Sequence, residues 1–100
     1  MRKVVLLCAA GMSTSMLVKN ISVAAKEEDY EIEVTAHTIS DAKSVVPGSD
    51  IVLLGPQVRF NLNGVKDKFP DIPVKVMDME AYGKMDGKKI VALIRKTLND

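Results

Sequence analysis

The sequence predicts an α/β sandwich of three layers, a four-stranded parallel sheet in the order 2-1-3-4 with helices on both faces. Three observations predict it. The runs Lys3 to Cys8 and Asp50 to Leu54 are continuously apolar after their charged first residue, as strands buried on both faces of a parallel sheet are, so they take the centre. Glu31 to His37 and Val74 to Met77 alternate apolar with polar, as edge strands do. Helical spacing separates the strands over short connections, the pattern of right-handed crossovers.

Taken in order, the first strand ends at Cys8, and Gly11 with three hydroxyl residues breaks it. Leu17, Ile21, Ala24 and Ala25 then recur at helical spacing up to the charged cluster Lys26 to Asp29, with Ser13 or Thr14 as the N-cap. After the second strand, Ser40 offers an N-cap to a short helix through Val45 or Val46, stopped by Pro47-Gly48. The third strand ends at Gly55-Pro56-Gln57. Val58, Leu62, Val65 and Phe69 share one helical face, in a weak helix former that Pro70 and Pro73 close. Tyr82 to Gly87 reads as a loop leading to a final helix that buries Ile90, Val91, Ile94 and Leu98.

The chain has 100 residues, 47% hydrophobic, and reads as one domain over residues 1–100. A net charge of +1 lacks the basic footprint of a nucleic-acid binder, and 4% aromatic residues offer no base-stacking platform. One cysteine and one histidine make neither an internal disulfide nor a metal site, so no cofactor is expected and a reducing compartment is. The apolar run after Arg2 and Lys3 is too short to span a bilayer or to serve as a signal peptide, so the expected location is the cytoplasm.

In the order 2-1-3-4 the chain reverses between strands one and three, and ligands of open α/β sheets bind beyond the carboxyl ends of the strands at such a point. Cys8 and Gly55-Pro56-Gln57 both fall there. A free cysteine ending an apolar strand is more often packing than catalysis. Three features argue for chemistry here: the thiol ends its strand, a Gly-containing loop follows, and a helix starts a few residues on. Helix-start amides and the helix dipole favour an anion, so they would lower the thiol pKa below about 8.5 and hold a phosphoryl group on sulfur. The expected phosphoryl-binding loop is Ala9, Ala10, Gly11, Met12, Ser13, Thr14 and Ser15. Its small side chains let an anion approach the backbone, and its hydroxyls add donors.

A low-molecular-weight cysteine phosphatase would share this thiol and loop, but it carries an Arg to clamp the phosphoryl oxygens where this chain has Thr14. A stable phosphocysteine awaiting another acceptor fits better. A redox protein would need a second cysteine or an external thiol. A module that holds an anion without covalent chemistry is the other alternative.

Three stretches carry a family resemblance: Leu7-Cys8-Ala9-Ala10-Gly11-Met12-Ser13-Thr14-Ser15, Val52-Leu53-Leu54-Gly55-Pro56-Gln57 and Tyr82-Gly83-Lys84-Met85-Asp86-Gly87. In that order and spacing the chain resembles the IIB component of the lactose, cellobiose and diacetylchitobiose class of the bacterial phosphoenolpyruvate-dependent sugar phosphotransferase system. The resemblance covers the whole chain. It implies that Cys8 accepts a phosphoryl group from a phosphohistidine of the IIA component. It also implies transfer to a disaccharide held by the membrane-embedded IIC permease, which would bring the protein transiently to the inner face of the membrane.

Other residues are placed by the same reading. Gln57 and Tyr82 are candidates to border the site, Gln57 being equally a loop residue that caps the next helix, and Arg59 could add charge there, although it is more often a solvated helix residue. Asp86 is the expected N-cap of the last helix. His37 ends an edge strand away from the switch point and reads as a surface residue. Met12 is expected to give two partners an adaptable apolar contact, with Leu17 in the core and Met16 open between the two readings.

Overall fold

The computed structural model describes residues 1–8 and 14–100. Four strands, β1 (Arg2–Cys8), β2 (Ile32–Thr38), β3 (Ile51–Leu54) and β4 (Val74–Val76), form a parallel sheet in the order β2-β1-β3-β4. The helices are α1 (Thr14–Glu27), α2 (Ala42–Val45), α3 (Leu62–Lys68), α4 (Met79–Gly83) and α5 (Gly87–Leu98). The expected topology holds, with the two continuously apolar runs at the centre.

Alternation along the central strands builds the three layers. Val4, Leu6 and Cys8 of β1, with Ile51 and Leu53 of β3, pack on Leu17, Ile21, Ala24 and Ala25 of α1 and on Ile90, Val91 and Ile94 of α5. Val5 and Leu7, with Val52 and Leu54, face the other way onto Ala42, Val46, Val58 and Val65. Every residue from Val4 to Cys8 is buried. Each such aliphatic side chain contributes roughly 1.5–3 kcal/mol by leaving water, which is why a run without polar interruption must be central. Beyond the last strand pair, the Met77 N–H donates to Leu54 O at 2.8 Å and its side chain is buried, so the expected fourth strand continues one residue past the regular ladder.

Four local expectations need correction. The apolar face from Val58 to Phe69 is not one helix: residues 56–61 turn in 3-10 fashion from Pro56, with Val58 at φ −114°, and only Leu62 onwards is α-helical. Val58 and Val65 are nevertheless buried, because the pattern recorded burial rather than backbone type. Ser40 does not cap α2. It lies inside a 3-10 turn (Ile39–Asp41) whose N-cap position is Thr38, and the Thr38 and Ser40 hydroxyls pair at 2.9 Å. Tyr82 and Gly83 are not loop residues but the end of α4, whose cap is Asp78 accepting from the Ala81 N–H at 3.1 Å. Finally, β2 runs from Ile32 to Thr38, one residue later than expected.

The two ends of the chain are tied beside β1. Asp100 accepts from Arg2 Nε and Nη2 at 2.8 and 2.9 Å and from the Tyr30 hydroxyl. Arg95 lies over the Tyr30 ring and bonds Glu28 at 2.9 Å. These bonds hold the Asp100 carboxyl at about 2, below its ordinary 3.8, chiefly through Arg2.

Candidate functional site

Cys8 is the last residue of β1, on the face turned to α1 and α5. Because α1 connects two parallel strands, it runs back against them, and its first turn lies at the carboxyl edge where β1 ends. Of the expected loop, Ala9, Ala10, Gly11, Met12 and Ser13 lie outside the described residues. Thr14 and Ser15 open α1.

Register places the second motif. Leu7 pairs with Leu54, so the next residues, Cys8 and Gly55, stand side by side and would project to the same face. The Gly55 N–H donates to Leu7 O at 2.9 Å and extends the ladder to this point. A Cβ on Gly55 would lie 2.8 Å from Gln57 Oε1, 3.2 Å from Cys8 Sγ and 3.6 Å from Tyr82 Cε1. Three side chains from three separate segments therefore converge on one glycine. Its φ of −64° and ψ of 151° suit any residue, so the glycine is there for space.

The third motif brings Tyr82. Asp78 starts α4, the buried Ala81 packs in the Cys8 cluster, and Tyr82 leans against that cluster with its ring half-buried. The rest of the motif anchors this piece to α1. The Asn20 Nδ2 donates to Met85 O at 3.0 Å, and Met85 itself takes a left-handed φ of 52°. The Asp86 N–H donates to Ala81 O at 2.8 Å, and its carboxylate caps α5 by accepting from the Lys89 N–H at 3.2 Å, as expected. Gly87 sits so close to α1 that a Cβ there would be 2.3 Å from Asn20 O. The glycine permits the contact of α5 with α1 that seats Tyr82.

The thiol is 1% exposed. Burial pushes its pKa up from the ordinary value, opposed by a hydrogen bond from the Tyr82 side chain and then by the Gly55 backbone N–H, whose main partner is Leu7 O. The expectation of a depressed pKa is thus reversed among these groups: desolvation of the charged sulfur outweighs its two donors. Among these groups the balance favours the protonated thiol.

Beside the thiol a cleft of about 380 Å³ is lined by Pro56, Gln57, Arg59, Met79, Tyr82 and Gly83. Gln57 and Tyr82, both expected at the site, are brought to it, and Arg59 joins them with its guanidinium 4.9 Å over the exposed Phe60 ring. Met79 is exposed, as is Met16 at the start of α1, which decides the open reading of that residue, while Leu17 is in the core as expected. Phe60 and Met79 were missed by sequence reasoning. A lone apolar residue between polar ones is no signal of exposure, although the Asp78 cap ahead of Met79 was legible.

His37 is not brought to the site. It pairs with Leu7 and so shares the opposite face, beside Lys3, Glu33, Thr35 and Pro47, and it is half-buried rather than a plain surface residue. Among the described residues no group of three or more His, Cys, Asp or Glu could hold a metal ion. No helix among them is long and apolar enough to cross a membrane.

Comparison with known proteins identifies the family and the fold. A sequence model of the lactose/cellobiose-specific IIB subunits of the PTS system matches residues 3–93. The galactose-specific EIIB component of Lactococcus lactis subsp. cremoris is 37% identical over 103 residues, which cover 96% of this chain and 95% of that protein. The oligo-beta-mannoside-specific EIIB component of Bacillus subtilis is 41% identical, over 89% and 88% of the two chains. The solution structure of the cellobiose-specific phosphotransferase IIB component of Borrelia burgdorferi superposes with a TM-score of 0.80 at 36% identity, over 98% of this chain and 92% of that one. With a family model matching residues 3–93 and relatives matched over nearly the whole length, the chain belongs to the lactose/cellobiose-specific IIB family of the sugar phosphotransferase system.

Proposed function

We propose that this IIB component carries phosphate on Cys8, accepting a phosphoryl group from a phosphohistidine of a IIA protein and passing it to a disaccharide bound by a membrane-embedded IIC permease. The observation that carries this reading is the position of Cys8 at the carboxyl end of a central strand, at the topological switch point. Gly55 lets the backbone lie close beside the sulfur, where a Cβ would stand 3.2 Å from it, and the first turn of α1 lies on the same edge of the sheet.

The chemistry is an in-line displacement at phosphorus, with the sulfur as nucleophile in the first step and leaving group in the second. The chain's part is to position the sulfur, exclude water and donate hydrogen bonds to the charge that develops. Ala9 to Ser15 supply the anion cradle in this reading. Thr14, where a cysteine phosphatase has its clamping Arg, leaves the phosphocysteine to wait for an acceptor rather than favouring its hydrolysis. Gln57 and Tyr82 border the phosphoryl group, and contact with IIC brings the protein to the cytoplasmic face of the membrane.

Intact-mass measurement tests this. Incubation with a phosphorylated IIA protein is expected to add one phosphoryl mass, mapped to Cys8, and sugar phosphorylation is expected when IIC and sugar follow. Cys8→Ser is expected to lose sugar phosphorylation. A full rate in that variant would rule out Cys8 as the carrier.

A further inference from the structure

We propose that Tyr82 is a catalytic residue of the phosphoryl transfer, its hydroxyl donating to Cys8 Sγ and stabilising the sulfur while it carries negative charge. The inference rests on Cys8 being the phosphoryl carrier. It stands on the geometry around Gly55, where Cys8 Sγ and the Tyr82 ring edge lie 3.2 and 3.6 Å from the same point, and on the packing of Tyr82 against the cluster that contains Cys8. Tyr82 also lines the neighbouring cleft, while the sulfur itself is buried.

The physical argument is one of differential binding. A sulfur bonded to phosphorus is a weak hydrogen-bond acceptor, whereas a thiolate is a strong one. A neutral donor aimed at the sulfur therefore gains strength as the sulfur–phosphorus bond breaks and, by reversibility, helps the sulfur as it attacks. The need for such a donor is acute here because burial disfavours the thiolate, and the Tyr82 hydrogen bond is the larger of the two contributions opposing burial.

The proton balance is consistent with a protonated resting thiol. In the first step the phosphorus–nitrogen bond of the phosphohistidine breaks and the sulfur–phosphorus bond forms. The thiol proton ends on the departing imidazole nitrogen, which leaves neutral. In the second step the sulfur–phosphorus bond breaks, an oxygen–phosphorus bond forms at a sugar hydroxyl, and the hydroxyl proton ends on the sulfur. Tyr82 keeps its own proton throughout and acts as a donor only.

The test is Tyr82→Phe, which keeps the ring and removes the hydroxyl. With one cysteine in the chain, cysteine labelled with carbon-13 at Cβ gives a single resonance whose pH dependence reports the Cys8 pKa without any partner protein. The variant is expected to titrate at higher pH than the wild type. It is also expected to transfer phosphoryl groups into and out of Cys8 roughly 10- to 100-fold more slowly, the effect of one hydrogen bond to a charged group, with an unchanged unfolding midpoint. An unchanged titration together with unchanged transfer rates would overturn the role of Tyr82. Wild-type protein that takes no phosphoryl group on Cys8 would overturn the carrier reading and this inference with it, and that outcome is read from the wild type alone.

Discussion

A Cβ on Gly55 would stand 3.2 Å from Cys8 Sγ, so the glycine marks the space beside the sulfur. The backbone there suits any residue, which makes Gly55→Ala a test of that space alone. The added methyl group meets the flexible end of Gln57 at 2.8 Å, which can swing away, so stability is expected to fall by less than about 1.5 kcal/mol. Crowding of the sulfur is expected to slow phosphoryl transfer far more than that loss suggests. Transfer rates measured beside the chemical denaturation midpoint check this, and an unchanged rate would show that the phosphoryl group lies on another side of the sulfur.

Gly87 differs in kind. Its methyl would lie 2.3 Å from the Asn20 carbonyl oxygen, which is backbone and cannot swing aside. Gly87→Ala is expected to push α5 off α1 and cost on the order of 1–3 kcal/mol, as overpacking does. A drop in the urea midpoint at constant m-value would be the readout. The mutation also loosens the seat of Tyr82, so transfer should slow even at temperatures where the variant is fully folded.

Asp78 caps the short helix that carries Tyr82. Asp78→Ala removes the acceptor of the Ala81 N–H and is expected to cost about 1 kcal/mol, while Asp78→Asn or Asp78→Ser recovers most of it. Thermal unfolding of the three variants would check the order. Equal midpoints for Ala and Asn would show that the cap does not hold α4.

The ties at Asp100 predict a pH dependence. The folded carboxyl titrates at about 2, below its ordinary 3.8, so the folded state favours the ionised form. The contribution is complete above about pH 4 and is lost as pH falls through the folded value near 2. Stability of the wild type relative to Asp100→Asn should therefore be constant near neutrality and shrink across that acid window. Because the pair is exposed, raising the salt concentration should weaken the difference as well.

Much of the architecture was legible in the chain. Val4 to Cys8 and Ile51 to Leu54 have no polar residue, and only a central strand covered on both sides can bury such a run, so the sheet order followed from pattern. Asp86 was readable as a cap because capping needs only an acceptor ahead of a helical pattern, and Asp78 offered the same signal unheeded. The break between residues 56–61 and α3 was not readable. Val58 is buried at helical spacing from Leu62 and Val65 whether the turn is 3-10 or α, so hydrophobic period is blind to the difference.

The thiol shows where local pattern runs out. Its place at a strand end before a helix is written in consecutive residues, and the family motifs point to the same sulfur. Its ionisation is not local. Burial by α1 and α5, a tyrosine at the end of α4 and an amide beyond β3 set it together, and burial prevails. Cys8, Gly55 and Tyr82 meet through parallel-strand register, the Asp78 cap and the close approach of Gly87 to Asn20. A sequence can name such residues one by one, but desolvation and cross-strand distance arise from contacts between distant segments, and only folding brings those into being.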